Sequence, residues 1–162
     1  MDHLIRELRE EERKILDDFL YEAIFVPEGT EPPPKEIIDL PELQIYVKNF
    51  GQEKDDHCLV AEADDRIVGA VWVRVMDDHG HVDDETPSLS ISLLKEYRNR
   101  GIGTELMERM LAELREQGYA KVSLSVQKIN HAAKMYQKLG FEILEERADD
   151  LLMICRLRQI SG

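Results

Sequence analysis

The segment EYRNRGIGTEL, residues 96–106, places two arginines and two glycines between a run of alternating apolar residues and an amphipathic run. The first N–H groups of a helix have no partner within it, and the helix dipole adds partial positive charge there. Gly101 and Gly103 lack a Cβ and allow a ligand close to the backbone, while Arg98 and Arg100 supply charge-assisted donors that suit phosphate oxygens. The segment therefore predicts a phosphate or pyrophosphate site, and the simpler alternative is a glycine loop with two solvated arginines.

The phosphate-binding motifs of other folds fit this segment less well. No Lys-Ser or Lys-Thr pair follows the glycines, as a Walker loop requires. The dinucleotide fingerprint needs a third glycine, and position 106 is leucine. A nucleotide-phosphate binder of another fold is therefore the weaker alternative.

A second segment, NHAAKMYQKLGF, begins at Asn130. Asparagine at the start of a helix is an ordinary N-cap, and a tyrosine such as Tyr136 near a helix end ordinarily fills core or interface space. In the order strand, loop, long helix, strand, short helix and strand, the two segments together resemble the GNAT superfamily of acyl-CoA-dependent N-acyltransferases. RNRGIG resembles its Q/R-x-x-G-x-G/A pyrophosphate loop, and Asn130 with YQKLGF resembles its second signature. The resemblance covers roughly residues 57–157.

The resemblance implies an N-acetyltransferase that uses acetyl-CoA as cosubstrate and needs no metal. The loop from Arg98 to Thr104 would hold the pyrophosphate through backbone N–H groups, and the end of the preceding strand would pair its main chain with the pantetheine arm. Asn130 would hydrogen-bond the pantetheine, and Tyr136, near the thioester sulfur, would act as general acid. The residues that the resemblance assigns to the cofactor are Leu93, Leu94, Arg98, Asn99, Arg100, Gly101, Ile102, Gly103, Thr104, Asn130 and Tyr136.

Direct transfer of an acetyl group to an amine needs three helpers, which are a base for the ammonium proton, a donor for the oxyanion and an acid for the thiolate. A backbone N–H near Leu93 is the expected oxyanion donor, and Tyr136 is the expected acid. No enzyme nucleophile is needed, in agreement with the lack of a Cys–His or Ser–His pattern in the sequence.

The sequence leaves the general base open. Family members often carry a glutamate about ten residues before the first arginine of the loop, and this position is Ser88. A serine hydroxyl is a poor base without an activating partner. The missing glutamate is also the main argument for an alternative function, a non-catalytic acyl-CoA-binding regulatory module on the same fold. The candidates for the base are a water relay through Ser88, Ser90 or Ser92 and a carboxylate from Glu22, Glu28 or Glu31.

Composition limits the partners of the chain. The 162 residues include 21 Lys and Arg against 34 Asp and Glu, which gives a net charge of −13 and a pI of about 4.8. No nucleic-acid partner is expected for such a chain, and a cationic small-molecule or peptidyl amine is favoured. The N terminus is too charged for a signal peptide and no apolar run is long enough for a membrane span, which favours a soluble cytoplasmic protein with no membrane partner. A homodimer is left open.

Three further features have ordinary explanations. His79 and His81 lie among four aspartates and could bind a metal, but a solvated connecting loop is the favoured interpretation and no metal site is predicted. Cys58 and Cys155 are isolated in apolar, strand-like runs and are expected in the core. Trp72 is expected to be a core residue rather than a substrate platform.

The surrounding elements predict a single N-acetyltransferase domain over residues 1–162, of the α/β (α+β) class, with a mixed, mostly antiparallel central sheet and helices on both faces. From the resemblance, the strands at 88–94 and 119–126 splay apart and admit the cofactor arm. The predicted strands are 3–8, two within 57–76 joined at Asp64-Asp65, 88–94, 119–126, 141–147 and 151–157. The predicted helices are 10–25, 39–51 with Asp39 as N-cap, 101–117 ended by Gly118, and 130–140 ended by Gly140, with a proline-rich loop at 26–36 and an exposed polar connection at 77–87.

Overall fold

A computed structural model of the chain describes residues 3–24, 26 and 28–157. The strands are β1 (Leu4–Glu7), β2 (His57–Ala63), β3 (Arg66–Arg74), β4 (Ser88–Leu93), β5 (Lys121–Gln127), β6 (Phe141–Glu146) and β7 (Asp150–Arg156). The helices are α1 (Ile15–Ala23), α2 (Pro41–Gln44), α3 (Ile102–Glu116) and α4 (Ala132–Lys138). The strands form one sheet in the order β1-β2-β3-β4-β5-β7-β6, in which only β4 and β5 are parallel neighbours. The predicted mixed, mostly antiparallel sheet is confirmed.

The elements around the glycine segment follow the sequence pattern closely. β4, α3 and β5 form the predicted strand–helix–strand crossover. Gly118 follows α3 with a φ of +92°, the left-handed conformation that glycine adopts most easily at a helix end. Asp64 and Asp65, both with positive φ, form the predicted two-residue turn between β2 and β3. The buried stripe of α3 consists of the predicted Ile102, Leu106, Met110, Leu111 and Leu114, together with Met107.

The prediction of one helix over residues 10–25 is wrong. A 3₁₀ turn, Glu10–Glu12, comes first, and α1 begins only at Ile15. The Glu12 carboxylate accepts the N–H of Arg9 at 2.8 Å and the Arg6 guanidinium at 2.8 Å, so it ties this turn to β1 and separates it from the helix. Phe25 and Pro27, which belong to the predicted helix and loop, lie outside the described residues.

Asp39 is not the N-cap of the next helix. It ends a 3₁₀ turn, Lys35–Asp39, which also takes two residues from the predicted loop. Leu40 precedes α2 in an extended conformation, and Pro41 is the first helical residue. Proline disfavours helical geometry in the residue before it, so Leu40 is excluded from the helix and α2 begins one residue later than predicted.

Two hydrophobic clusters cover the two faces of the sheet. The first contains the buried side of α3, and the second contains Leu16, Phe19 and Leu20 of α1 together with Trp72. Cys155 lies in the first cluster and Cys58 in the second, both as free thiols. Trp72 is fully buried, and its Nε1 donates to the carbonyl of Tyr46 at 3.1 Å. The predictions that both cysteines and Trp72 are core residues are confirmed.

The two faces of β4 carry opposite kinds of side chain. Leu89, Ile91 and Leu93 form the apolar face, which belongs to the cluster around α3. On the other face, Ser90 lies opposite Trp72 and Ser92 opposite Ala70, and both of these β3 residues belong to the cluster around α1. Residues directly opposite in a ladder share a face. Ser88, Ser90 and Ser92, called the serine row below, therefore face α1.

The connection at 77–87 is less exposed than predicted. The hydroxyl of Ser123 donates to the carbonyl of Gly80 at 2.6 Å, and the guanidinium of Arg147 donates to the carbonyl of His79 at 2.8 Å. Gly80 and Thr86 are buried. These bonds dock the connection onto the sheet, because loop carbonyls next to a sheet need donors when water is excluded. Among the described residues, no helix combines the length and the apolar character that crossing a membrane would need.

Candidate functional site

The central feature of the site is a gap between β4 and β5. These strands share a single residue pair, Ser88 with Ser123, where the Ser123 N–H donates to the carbonyl of Pro87 at 3.0 Å. Beyond this pair, residues 89–93 of β4 and 124–127 of β5 form no pairs with each other within the described chain. The strands therefore meet at one end, called the closed end of the gap, and separate toward their carboxyl ends.

Backbone alternation determines which groups of β4 face the gap. The N–H of Leu94 donates to the carbonyl of Val68 on β3 at 2.8 Å. Because neighbouring residues of a strand direct their N–H and C=O groups to opposite sides, those of Leu93 and Ile91 face the gap. The carbonyl of Leu94 accepts the N–H of Tyr97 at 2.9 Å, so both polar main-chain groups of Leu94 already have partners. That Leu94 pairs its main chain with the cofactor stays a prediction, and the main-chain groups that face the gap are those of Leu93 and Ile91.

Two glycines hold the side chain of Leu93. A Cβ on Gly69 would lie 2.9 Å from Leu93 Cδ2, and a Cβ on Gly103 would lie 3.0 Å from Leu93 Cδ1. Both distances are shorter than ordinary carbon–carbon contacts. Gly103 therefore makes room for Leu93, a packing role that differs from the ligand approach predicted from the sequence. Gly101 differs, because its φ is +85° and a Cβ there would meet nothing within 4 Å.

The start of α3 has free donors in front of open space. Gly101 is the N-cap residue and has no side chain that could accept a bond from the first turn. The N–H groups of Ile102, Gly103 and Thr104 have no acceptor among the described residues. Asn99, exposed and with a φ of +62°, turns the chain into the helix. An uncapped helix start of this kind attracts anions.

Both predicted arginines, Arg98 and Arg100, contact other residues of the chain. Arg98 Nε donates to the carbonyl of Leu93 at 3.0 Å, and its Nη2 lies 3.4 Å from a carboxylate oxygen of Glu22 in α1. Its backbone N–H donates to Lys95. The Leu93 carbonyl, which faces the gap, therefore takes the Nε donor of Arg98, and a contact of the remaining guanidinium donors with phosphate stays a prediction. Arg100 stacks on the ring of Tyr97, with 5.3 Å from guanidinium carbon to ring centroid.

Tyr97 anchors the loop, and the sequence analysis did not identify it. It ends a 3₁₀ turn, Lys95–Tyr97, that directly follows β4. Its hydroxyl donates to Asp64 at 2.6 Å, and its buried ring lies between the guanidinium groups of Arg66 and Arg100. Cation–π contacts of this kind stabilise by about 0.5–1 kcal/mol each. The only local signal in the sequence is that Arg100 follows this aromatic residue by three positions.

Asn130 and Tyr136 have the structural roles that their residue types ordinarily take. Asn130 lies one residue before the N-cap of α4, His131, and its side-chain oxygen accepts the N–H of Ala132 at 2.9 Å, while its amide NH₂ has no acceptor among the described residues. The ring of Tyr136 is buried 5.9 Å from that of Phe141, and its hydroxyl forms no hydrogen bond within the described chain. Burial raises the pKa of Tyr136 to about 12, so the phenol stays protonated and can donate near neutral pH.

One member of the serine row, Ser88, is hydrogen-bonded to a carboxylate, that of Asp78. The hydroxyl of Ser88 donates to Asp78 Oδ1 at 2.8 Å, a contact that the sequence analysis missed because no spacing rule links the two residues. Ser92 Oγ is buried and has no hydrogen-bond partner among the described residues. Of the predicted carboxylates, Glu22 is paired with Arg98, while Glu28 and Glu31 are exposed.

Other candidate sites lie elsewhere. Two surface cavities, of about 250 and 470 Å³, lie along β1 and β2, and their linings include none of the predicted site residues. His81 Nε2 lies 3.7 Å from Asp84. In the part of the chain that the structure describes, no three His, Cys, Asp and Glu side chains come together in a way that could hold a metal ion.

Comparison with protein families gives one match that covers most of the chain. The model of the acetyltransferase (GNAT) family matches residues 2–141. A probable N-acetyltransferase, camello, of Xenopus laevis is 32% identical over 98 residues, which are 59% of this chain and 43% of that protein. N-alpha-acetyltransferase 50 of Danio rerio is 36% identical over 90 residues, which are 54% of this chain and 52% of that protein. The chain thus spans about half, or less, of the length of these relatives.

Solved structures share the fold. The GNAT-family acetyltransferase from Streptococcus pneumoniae superimposes with a TM-score of 0.69 and 24% identity, over 97% of this chain and 100% of that one. The PaiA N-acetyltransferase from Thermoplasma acidophilum, solved in complex with coenzyme A, gives a TM-score of 0.67 and 22% identity, over 96% and 99%. These likenesses establish the architecture around the gap.

Proposed function

Because the chain belongs to the acetyltransferase (GNAT) family, we propose that it is an N-acetyltransferase that moves an acetyl group from acetyl-CoA directly to a primary amine. The observation that carries the proposal is the gap between β4 and β5, which opens toward the uncapped start of α3. Acetyl-CoA has a group for each feature, because its pyrophosphate suits the helix start and its pantetheine arm suits the gap.

The residues fit this cosubstrate at three points. The N–H groups of residues 102–104 and the open space in front of Gly101 suit a pyrophosphate, with Asn99 and Arg100 beside it. The N–H of Leu93 faces the gap and suits a carbonyl oxygen of the arm or of the thioester. The free amide NH₂ of Asn130 suits a pantetheine carbonyl. Acetyl-CoA supplies the acetyl group as an activated thioester.

The chain supplies two of the three helpers, one in the gap between β4 and β5 and one in the cluster around α3. A main-chain N–H that faces the gap stabilises developing negative charge on the carbonyl oxygen. Tyr136, with a protonated and unpartnered hydroxyl, donates a proton to the leaving sulfur. No residue of the chain forms a covalent intermediate in this scheme.

The substrate class is a small-molecule or peptidyl amine. Similarity to a protein named N-alpha-acetyltransferase 50 supports a peptidyl amine, and the net charge of −13 favours a cationic one through electrostatic attraction. We also propose that residues 1–162 act as one domain, because the described strands form a single sheet. The cytoplasmic location, the homodimer and the absence of nucleic-acid and membrane partners stay predictions from the sequence.

The direct test is release of free thiol from acetyl-CoA in the presence of a panel of amines, with acetyl-CoA affinity measured by calorimetry. Thiol release that depends on both the amine and the protein is expected. Acetyl-CoA binding without amine-dependent thiol release would instead favour the non-catalytic acyl-CoA-binding module. Absence of acetyl-CoA binding would contradict both functions.

A matched pair of glycine variants tests the placement of the cosubstrate. Gly101 and Gly118 have φ of +85° and +92°, at opposite ends of α3, and a Cβ on either would meet nothing within 4 Å. Gly101→Ala and Gly118→Ala should therefore share a similar backbone strain of about 1 kcal/mol. Only Gly101→Ala is expected to weaken acetyl-CoA affinity, by about tenfold or more, or about 1.4 kcal/mol. Equal affinity in the two variants would contradict the placement.

A further inference from the structure

The serine row and Asp78 lie on the face of β4 opposite to α3, and none of the steps above uses them. We propose that Asp78 is the terminal proton acceptor for the amine, and that the proton reaches it along the serine row through Ser88. This inference rests on the proposed function and identifies its missing base.

The contact between Ser88 and Asp78 sets the direction of proton transfer. Ser88 Oγ donates to Asp78 Oδ1 at 2.8 Å. A hydroxyl has one proton and two lone pairs, so a Ser88 that donates to Asp78 can still accept a proton from the other side. When it accepts one, its own proton passes to the carboxylate. Ser88 is 1% exposed, whereas Asp78 is half-buried, so the carboxylate can afterwards release the proton to water.

The fold holds Asp78 firmly at the closed end of the gap. Its carbonyl accepts the N–H of His81 at 3.1 Å, and the carbonyl of Gly80 accepts the hydroxyl of Ser123. A Cβ on Gly80 would lie 3.3 Å from the N of Ser125 and 3.4 Å from Asp78 Oδ2, so a larger residue at this position would shift the loop and β5 apart by a few tenths of an ångström. The Tyr46 side chain is a further group beside Asp78, and burial first and this carboxylate second raise the pKa of Tyr46.

Ser92 marks the other end of the row. Its hydroxyl is buried without a partner in the described part of the chain, and an unsatisfied buried polar group ordinarily costs about 1–3 kcal/mol. A ligand that donates a hydrogen bond to Ser92 Oγ removes this cost, and an ammonium group is such a donor. Ser92 is also the neighbour of Leu93, whose N–H faces the gap, so a nitrogen at Ser92 is beside the expected position of the thioester.

The spacing of the serine row suits a proton relay. Hydroxyls on the same face of a strand are about 7 Å apart, since each residue advances the strand by about 3.3 Å. Two waters between such hydroxyls, joined by three hydrogen bonds of about 2.8 Å, span up to about 8.4 Å and bridge this distance. Ser92, Ser90 and Ser88 then form a continuous path from the amine to Asp78.

The proton balance of the reaction is complete with these groups. The ammonium loses one proton along the row, and Asp78 becomes a carboxylic acid. The neutral amine forms the new C–N bond as the C–S bond breaks, and the electron pair of that bond leaves with sulfur. The second proton of the nitrogen ends on sulfur as a thiol, with Tyr136 as the intermediate donor. Asp78 finally releases its proton to solvent.

The test compares Asp78→Asn with Asp77→Asn. Asp77 is an exposed neighbour, so both variants lose the same charge, but only the first loses the acceptor bonded to Ser88. Turnover at saturating acetyl-CoA and amine is expected to fall about 10²-fold in Asp78→Asn, the lower end of the effect of a positioned base, and to stay near parental in Asp77→Asn. Calorimetric affinities for acetyl-CoA, and for the amine in the presence of coenzyme A, should be unchanged in both variants.

Two further variants keep the proposal testable if Asp78→Asn does not fold. Asp78→Glu keeps a carboxylate and is expected to retain more than a tenth of the parental turnover. Ser88→Ala keeps Asp78 but removes the hydroxyl that contacts it, and it is expected to lower turnover about tenfold, because a water can replace the hydroxyl. If both Asp78→Asn and Ser88→Ala turn over within twofold of the parent, the proposal is overturned and the proposed function still stands. A parent chain without amine-dependent thiol release would overturn both.

Discussion

The two faces of the six-residue strand β4 differ in how well their side chains are packed and hydrogen-bonded. On the apolar face, Leu93 is held so closely between two glycines that an added methyl group would meet it at 3.0 Å or less. On the serine face, Ser92 is as buried as a core residue and yet its hydroxyl has no partner in the described chain. Close packing fixes positions, whereas an unpartnered polar group is a cost that a bound ligand removes. The apolar face therefore holds the strand in place, and the serine face is where we propose that the amine is recognised.

This contrast predicts effects of different kinds on the two sides. Changes on the side of α3 should lower stability through packing, except at Tyr136, whose hydroxyl has no partner in the described part of the chain. Changes on the side of α1 should impair the reaction, through turnover or KM for the amine, without lowering stability. Three substitutions test the contrast, in order of decreasing effect.

The largest effect is expected for Tyr136→Phe. The ring packs against Phe141, so the variant should keep its fold and most of its acetyl-CoA affinity. Loss of the donor to sulfur should lower turnover between about tenfold and 10²-fold, because a thiolate is already a fair leaving group and a water can replace the hydroxyl. Turnover at saturating substrates measures this effect.

Tyr119→Phe is the control for Tyr136→Phe. Its hydroxyl donates to Asp55 at 2.6 Å, and no step of the proposed reaction uses it. This control should lose about 1 kcal/mol of stability and keep its turnover. If Tyr136→Phe turns over like the parent, the tyrosine only packs. If affinity and thermal stability fall together in that variant, its role is structural.

The next effect is expected for Gly69→Ala. The new Cβ would lie 2.9 Å from Leu93 Cδ2 and 3.3 Å from Leu106 Cδ1, so these side chains must shift. Overpacking of this kind should lower the free energy of unfolding by about 1–3 kcal/mol, measured by denaturant titration. The double variant Gly69→Ala/Leu93→Val should lose less than the sum of the single losses, because valine makes room. Additive losses would show that the two residues do not compete for space.

The smallest effect is expected for Ser92→Ala, and it has the opposite sign. Removing a buried hydroxyl without a partner should raise the free energy of unfolding by about 1 kcal/mol. The same change should raise KM for the amine, because the ammonium loses an acceptor. Ser90→Ala is the control on the same face, and its half-buried position predicts little change in stability. A Ser92→Ala variant that is less stable than the parent would show that the hydroxyl has an internal partner.

The sequence predicted the parts of the site that depend on local pattern. The apolar stripe of α3 and the glycine at its end, Gly118, both follow from residue type and spacing. These features repeat over one or two helical turns, so a single sequence is enough to recognise them. The order of strands around the crossover also follows, because a parallel pair needs a connecting helix.

Contacts between distant residues could not be predicted in this way. Arg98 Nε donates to the carbonyl of Leu93, because that carbonyl faces the gap and lacks a strand partner. Gly103 is needed for the packing of Leu93, so replacing Gly101 and Gly103 together with bulky residues would damage the fold as well as the cofactor site. Asp78 reaches Ser88 only because its loop docks onto β5. No periodicity in the sequence encodes such docking.

The central claim is that acetyl-CoA occupies the gap between β4 and β5 with its pyrophosphate at the start of α3. A ¹H–¹⁵N spectrum of the labelled protein, recorded as acetyl-CoA is added, tests this claim most directly. The largest amide shifts are expected at Leu93 and at residues 101–104, with little change at Leu94, whose N–H is bonded to Val68. The largest shifts at residues of the cavity along β1 and β2, such as His57 and Glu113, would contradict the claim.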